Sequence, residues 1–209
     1  RNVIIADCHI YNGGDSGVFM DACNLHQINI LGNHISYCKR AGIRQYNGDV
    51  HNVQITGNDI EYNAVWTDGM SGEILLENPD SGMISEYTIA SNTIQARPEH
   101  PGANVVIARR DGDGSIGCFS ITGNVLGSRD KNIYARHAER ALTITGNTIY
   151  CGVACNVHLE FCAHVNMSGN TVLYSHANFG DRNGIVLEDC TACRIDGNIV
   201  RAKEAGSLE

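Results

Sequence analysis

Two glutamates at equivalent places in neighbouring segments are the residues best suited to catalysis. Glu160 follows the alternating run 156–159, and Glu188 follows the similar run 184–187. If both runs are stacked strands, the two carboxylates lie about 5 Å apart, so like-charge repulsion raises the pKa of one of them. Such a pair can act as acid and base. The spacing is near the roughly 5–5.5 Å of retaining glycosidases, although splayed side chains would reach the inverting range of about 6.5–9.5 Å.

Arg136 and His158 are expected to complete this candidate catalytic group. Arg136 occupies the equivalent place on the preceding segment, where it would bind a substrate carboxylate or neutralise Glu160. His158 lies on the same face as Glu160 and is the alternative proton carrier, because imidazole titrates near neutral pH. The competing interpretation is a surface salt bridge between Arg136 and Glu160, worth about 0–1 kcal/mol.

Aromatic and charged side chains on the same outward stripe are candidates for binding sugars. Polar groups orient a saccharide and exposed rings stack on its C–H groups, although an ordinary solvated face has a similar composition. Trp66 is the single tryptophan and is expected in a long loop, where it either packs on the fold or serves as a sugar-stacking platform. The candidate substrate-binding residues are Asp21, Arg44, Tyr46, Trp66, Asp68, Glu77 and Tyr134.

A repeat that runs through almost the whole chain must position these residues. Its clearest copy, Leu142–Ile149 (LTITGNTI), combines an alternating apolar strand, a Gly-Asn corner and a second short strand. The corners recur at intervals of 25, 25, 34, 32, 23, 23 and 28 residues, in the range of a solenoid coil. Stacked coils would join their corner amides into a ladder. The corner residues are Cys8, Asn33, Asn58, Asn92, Asn124, Asn147, Asn170 and Asn198.

A third strand between successive copies, as at Gly72–Glu77 and Gly184–Asp189, makes each coil three-sided. Gly184–Val200 and Asn156–Val172 resemble the repeat of right-handed parallel β-helix proteins, which include pectate-lyase-like enzymes, polysaccharide epimerases, carbohydrate-binding and sugar-hydrolase repeat proteins and phage tailspikes. The resemblance covers residues 3–201. It implies an all-β, single-stranded right-handed parallel β-helix of about seven to eight three-stranded coils, forming one domain over residues 1–201.

Insertions relative to the repeat predict loops along the edges of the third strand. Asn63–Ser71, Ala96–Gly102 and Ser175–Asn183 precede it, and Asn78–Glu86 and Arg110–Gly117 follow it. Solenoids often use the face that carries such loops for binding. We therefore expect the site on the third strand of each coil, and we expect Asn78 to be exposed.

No motif in the sequence specifies a cofactor or a metal. The run Asp111–Ser115 resembles a calcium loop, but Ile116 and Thr122 stand where an EF-hand requires Gly and Glu. The adjacent aspartates and Gly-His-Gly of galacturonase-type hydrolases and the Asp-Pro-His of mannuronan epimerases are absent. We predict no cofactor, and calcium would bind at Asp111–Ser115 without specificity.

The nine cysteines are expected to be reduced and free of metal. Cys23, Cys162 and Cys190 follow their strands at equivalent places, as stacked small buried residues do. The odd count argues against a disulfide framework, and no second motif accompanies Cys190-x-x-Cys193 to complete a zinc site.

Charge and composition limit the classes of partner that the chain is expected to bind. The net charge of −8 and the absence of a basic run argue against nucleic acid, and no apolar run is long enough for membrane insertion. The chain opens at Arg1 inside a strand, which suggests a fragment or processed product. Residues 202–209 are interpreted as a tail in which Gly206–Glu209 fits a tag remnant. The resemblance implies an extracellular, periplasmic or virion-associated location and leaves a homo-oligomer open.

Two classes of function remain. One is a domain that binds an extended polysaccharide or oligosaccharide, with acidic glycans among the candidates, and cleaves or modifies it as a glycoside hydrolase or polysaccharide lyase. The other is a non-catalytic shaft, adhesin or spike domain in which the repeat itself is the function.

Overall fold

The computed structural model describes residues 2–66, 70–109, 115–174 and 183–201, and all regular structure in these ranges is β-strand. No helix of the described part is long and apolar enough to cross a membrane. The strands form two hydrogen-bonded sheets, of 13 and 8 strands, and two long strands join two sides of the helix within the larger one. Each complete coil therefore has three sides, which we call the first, second and third sheets. The predicted all-β parallel β-helix is confirmed.

The first sheet precedes each Asn corner and contains β1 (Val3–Ala6), β4 (Asn24–Leu31), the second half of β6 (Ala41–Thr56), the second half of β8 (Gly72–Ala90), β11 (Ser115–Thr122), β14 (Arg140–Thr145), β17 (Val165–Ser168) and β20 (Arg194–Asp196). The second sheet follows the corner and contains β2 (His9–Tyr11), β5 (His34–Ser36), β7 (Asp59–Glu61), β9 (Thr93–Gln95), β12 (Val125–Arg129), β15 (Thr148–Gly152), β18 (Thr171–Leu173) and β21 (Ile199–Arg201). The third sheet contains β3 (Ser16–Asp21), the first halves of β6 and β8, β10 (Ala103–Arg109), β13 (Lys131–Arg136), β16 (Cys155–Glu160) and β19 (Asn183–Glu188).

Two long strands join the third sheet to the first. β6 and β8 continue from one sheet into the other and stay paired, with a bulge that sets residues 78–81 of β8 against Asn47 of β6. The prediction that Asn78–Glu86 is a loop is therefore wrong, because the extra residues are absorbed as a bulge while strand pairing continues. Asn78 is also not exposed as expected: it is fully buried, and its Nδ2 donates to the Gly82 carbonyl.

The corner ladder is present along the chain. Asn147 Nδ2 donates to Asn170 Oδ1 at 2.9 Å and to the Ile121 carbonyl at 2.9 Å, while its Oδ1 accepts from Asn124 N and Nδ2. Equivalent bonds join each corner from Asn33 to Asn198, and Asn33 Oδ1 accepts from the backbone of Cys8, the one corner without an amide. The ladder therefore pairs buried polar groups while fixing the register of the coils.

A second, shorter ladder lies where strands of the third sheet begin. Asn104 Nδ2 donates to Asn132 Oδ1, and Asn132 Nδ2 donates to Asn156 Oδ1, each at 2.7 Å. All three amides are buried. The sequence places Asn at equivalent points in these segments, but the pattern predicts only the start of a strand there.

A buried ion pair holds the loops that precede the third sheet. Arg129 NH1 lies 2.8 Å from Glu73 Oε1, and both side chains are fully buried. The remaining donors of Arg129 reach the carbonyls of Pro101 and Ala64, and Glu73 also accepts from Asn63. Burial raises the pKa of Glu73 from its ordinary 4.5 to about 7 against the opposing effect of Arg129. The contact thus connects three segments. Below about pH 7 Arg129 faces a neutral Glu73, and above it the two form a buried ion pair at the cost of desolvating two charges.

Replacing Asn147 by Ala should destabilise the protein by several kcal/mol, because each buried polar group left without a partner costs about 1–3 kcal/mol. Denaturant unfolding measures the change. Asn166 provides the matched control, because its side chain is exposed on β17. Asn166→Ala should change stability little. Equal losses in the two variants would contradict the structural role of the ladder.

The free energy of unfolding should fall as pH rises from about 4.5 to about 7. In this window the unfolded carboxyl of residue 73 has lost its proton while the folded one retains it, so raising the pH favours unfolding. At about 1.4 kcal/mol per pH unit, the total is on the order of 3 kcal/mol. Glu73→Gln should flatten this part of the stability–pH profile. Glu86→Gln replaces a half-exposed glutamate on the same strand and is the control that should keep this slope. A slope that persists in Glu73→Gln would show that Glu73 is not its source.

Candidate functional site

Register brings the predicted catalytic residues together on the outer face of the third sheet. Arg136, Glu160 and Glu188 are directly paired positions on β13, β16 and β19, and Tyr134 pairs with His158 in the adjacent column. Adjacent strands of a sheet lie about 4.8 Å apart. Five of the eleven candidate site residues therefore form one contiguous group, and we call Tyr134, Arg136, His158, Glu160 and Glu188 the carboxylate cluster.

His158 lies between the two glutamates. Its Nε2 is 3.4 Å from Glu160 Oε1 and 3.4 Å from Glu188 Oε1. These contacts are longer than a good hydrogen bond, and Nε2 has no hydrogen-bond partner within the described residues. One ligand atom from each of the three side chains lies within 4.8 Å of the others. The imidazole is therefore placed to exchange a proton with either carboxylate. The trio also offers three ligand-type atoms, but the guanidinium of Arg136 beside Glu160 opposes a cation there.

Glu160 is the more constrained carboxylate. Its Oε2 accepts a 3.0 Å hydrogen bond from the Tyr134 hydroxyl and lies 3.6 Å from Arg136 Nε. Burial, and then the hydrogen bond to Glu160, raise the pKa of Tyr134 above its usual range, so the phenol remains a neutral donor. Glu188 is 55% exposed and has only the His158 contact among the ion pairs of the described residues. Arg136 thus lies within ion-pair distance of Glu160, a contact that fits both a role in the site and the competing surface salt bridge.

A pocket of ≈280 Å³ adjoins the carboxylate cluster. Tyr134, His158 and Glu160 form one wall, Lys131 adds an ammonium group that pairs with Asp130 at 2.7 Å, and Met70 and Val106 add apolar surface. A larger open groove of ≈730 Å³ on the first sheet is lined mainly by amide and hydroxyl side chains such as Asn29, Gln54 and Ser120. The smaller pocket is the better candidate because acid, base and cation meet there.

The predicted outward stripe is interrupted in its middle. Leu75, Val106 and Ala108 alternate with the inward residues of their strands and so point outward, but they are buried in a small apolar cluster with Ala41 and Ala103, against which Met70 and Tyr134 pack. The expectation of one continuous exposed stripe is therefore wrong. The insertions before the third sheet fold onto it and divide it into two exposed parts.

The other exposed part is centred on Arg44. Its Nε lies 3.2 Å from Glu77 Oε2, and its guanidinium carbon lies 4.9 Å from the Phe19 ring and 4.8 Å from the Tyr46 ring. Asp21 is exposed and pairs in register with Tyr46. The structure thus brings four candidate binding residues, Asp21, Arg44, Tyr46 and Glu77, to one place, which we call the arginine patch.

Trp66 lies near the arginine patch and Asp68 is not described. The Arg40 guanidinium carbon is 4.8 Å from the centre of the Trp66 indole ring, and the ring is half-buried. Asp68, the calcium-like run Asp111–Gly114 and most of the predicted loop Ser175–Asn183 lie outside the described residues. The Trp66 ring therefore has one face occupied by an arginine.

Residues 1–78 match the family described as the right handed beta helix region. The described residues have the fold of a parallel β-helix. The crystal structure of Dettilon tailspike protein is similar over 94% of this chain, at 15% sequence identity and a TM-score of 0.34, and the chain spans about half of that protein, 53%. No curated protein sequence matches the chain.

The sequence did not predict two residues that lie at the pocket and beside the arginine patch. Lys131 lines the pocket, and Asp15 lies 3.8 Å from Arg44 and 3.7 Å from Arg40. The signal for Lys131 was its position at the start of a third-sheet strand, where loops and strands meet. Asp15 lies in a corner turn, for which strand alternation makes no prediction.

None of the nine cysteines forms a disulfide with another described residue, and their burial differs widely. Burial raises the pKa of Cys155 to about 11 and that of Cys162 to about 12. Cys162 is buried as the stacking interpretation predicts, whereas Cys23 and Cys190 are only half-buried and Cys8 and Cys118 are exposed.

Thiol labelling of the native protein should therefore be selective. Cys8 and Cys118 should react first because they are exposed, while Cys155 and Cys162 should react only after unfolding, because a thiolate is required and burial disfavours it. Mass spectrometry of labelled peptides identifies the sites. Rapid native labelling of Cys162 would show that the core of this coil is open.

Proposed function

We propose that the third sheet binds an extended acidic glycan and that Glu160 and Glu188 hydrolyse it. The observation that carries this proposal is the placement of His158 at equal distance, 3.4 Å, from both carboxylates beside a pocket. Fold alone does not assign an activity, so the proposal rests on this geometry.

Extended binding follows from the spacing of the two exposed parts of the sheet. The arginine patch and the Glu188 strand are separated by up to six strand spacings, about 29 Å. Rings at Phe19, Tyr46 and Tyr134 offer apolar faces for sugars, and Arg44, Arg136 and Lys131 offer cations. The net charge of −8 repels a polyanion at long range. An acidic sugar would therefore be recognised by these local cations rather than by the field of the whole chain.

The separation of the carboxylates favours a retaining mechanism. Ligand oxygens of Glu160 and Glu188 lie within 4.8 Å, closer to the roughly 5–5.5 Å of retaining than the 6.5–9.5 Å of inverting glycosidases. Glu160, held by Tyr134 and Arg136, suits the nucleophile that bonds the anomeric carbon as the glycosidic bond breaks. Glu188 suits the acid that protonates the departing oxygen and later takes a proton from the water that releases the sugar. His158 would relay protons to it.

A non-catalytic shaft is the second candidate, and the charge pairing of the stripe favours it. Arg136 and Glu160, and likewise Arg44 and Glu77, already neutralise each other. Surface pairs of this kind are worth about 0–1 kcal/mol, and their presence requires no ligand. In this case the sheet would bind no glycan.

Glu160→Gln and Glu188→Gln should each abolish turnover of an acidic polysaccharide while leaving the melting temperature nearly unchanged. The amide preserves size and removes the charge or proton that the reaction needs. Glu139→Gln, which changes a half-exposed glutamate outside the carboxylate cluster, is the matched control and should keep full activity.

A glycan array followed by product analysis of the bound acidic glycans provides the measurement. Full activity of both variants would move the chemistry to the arginine patch or to the segment around Asp68. Absence of binding to every acidic glycan would favour the shaft.

A further inference from the structure

A second group of ligand-type side chains lies on the outer face of the second sheet. His34 on β5 pairs in register with Asp59 on β7, and Glu61 follows Asp59 by two residues on the same face. One nitrogen or oxygen from each lies within 4.8 Å of the others. The three side chains belong to adjacent coils, so the strand spacing itself brings them together.

The separation of the ligand atoms fits a small divalent cation. His34 Nε2 lies 3.2 Å from Glu61 Oε1. Two atoms bound to zinc at about 2.0–2.2 Å with a tetrahedral angle lie roughly 3.3–3.5 Å apart, so these two need little movement. Asp59 is exposed and can rotate toward them. A water molecule would complete the coordination.

Neighbouring side chains orient two of the three ligands. Gln95 Nε2 donates to Glu61 Oε2 at 2.8 Å, which leaves Oε1 directed at His34. The His9 ring stacks on the His34 ring with centroids 4.6 Å apart and planes inclined by 7°. Supporting contacts of this kind hold metal ligands in place in established sites.

The charge around this group also distinguishes it from the carboxylate cluster. No lysine or arginine within the described ranges forms an ion pair with Asp59 or Glu61, whereas Arg136 lies beside Glu160. On the next three strands of the two outward columns the residues are uncharged: Thr93, Gln95, Val125, Gly127, Thr148 and Tyr150. The two carboxylates therefore form an isolated anionic patch next to an imidazole.

We propose that His34, Asp59 and Glu61 bind one zinc ion. A nitrogen ligand with two carboxylates suits zinc better than calcium or magnesium, which prefer all-oxygen sites. This site is independent of the proposed glycan activity.

Equilibrium dialysis of the full chain against zinc chloride, under reducing conditions and after alkylation of the accessible thiols, tests the proposal. One equivalent of zinc should bind and raise the melting temperature. Binding should weaken at least tenfold in both His34→Ala and Glu61→Gln, and Gln95→Ala should weaken it about 10–100-fold through the loss of Glu61 orientation. Cobalt substitution should give a visible spectrum of nitrogen and oxygen ligands without a thiolate band.

Two control variants keep the test specific. His51→Ala removes a histidine whose Nε2 lies 3.1 Å from that of His26, and Glu188→Gln removes a carboxylate of the other candidate group; neither should change zinc binding. Melting without zinc should show that all variants fold, since these side chains face outward. Absence of stoichiometric binding, unchanged affinity in His34→Ala and Glu61→Gln, or loss of binding in either control would each overturn the proposal.

Discussion

The hydrogen bonds between successive corner amides are the interaction on which the rest of this structure depends. Each Asn accepts from the coil before it and donates to the coil after it, so a coil that slipped by one residue would break bonds at two corners and turn its apolar side chains outward. Because the corners are fixed, side chains between them return to the same columns. That is why Arg136, Glu160 and Glu188, which are 24 and 28 residues apart in sequence, meet on one face.

Glu73 and Arg129 perform a different task at the middle of the third sheet. Ladder bonds repeat and so cannot specify where a loop of unique length should lie. The ion pair connects segments near Asn63, Pro101 and Arg129 that have no repeated partner. Buried pairs of this kind stabilise less than apolar packing of the same volume would. We interpret this one as a device that positions the insertions which bury Leu75 and Val106 and shape the pocket.

The sequence predicted what repetition determines and failed where repetition ends. The corners, the three strands per coil, the inward column and the pairing of Glu160 with Glu188 all follow from period and spacing. The continuous strand through Asn78 could not be predicted, because a bulge and a loop of the same length look alike in sequence. Likewise, alternation predicts that Val106 points outward but does not reveal that an insertion covers it. The zinc-ligand group on the second sheet was overlooked because its members lie on different repeats in short strands.

The stacking of coils also determines how the chain must fold. The ladder partners are 23–34 residues apart throughout, so closing one more coil requires a loop of similar size whether it is the second or the seventh. The entropy of closure is then nearly constant per coil. Strand pairing joins each new coil only to its predecessor, and the bonds from Arg129 to Glu73 and Ala64 are the exception that reaches two coils back. Such a chain forms by nucleation of adjacent coils and propagation from them, as in one-dimensional repeat proteins. The slow step is the formation of the first pair of adjacent coils. Propagation would pause at the coils with the longest insertions, which lie between Asn58 and Asn124.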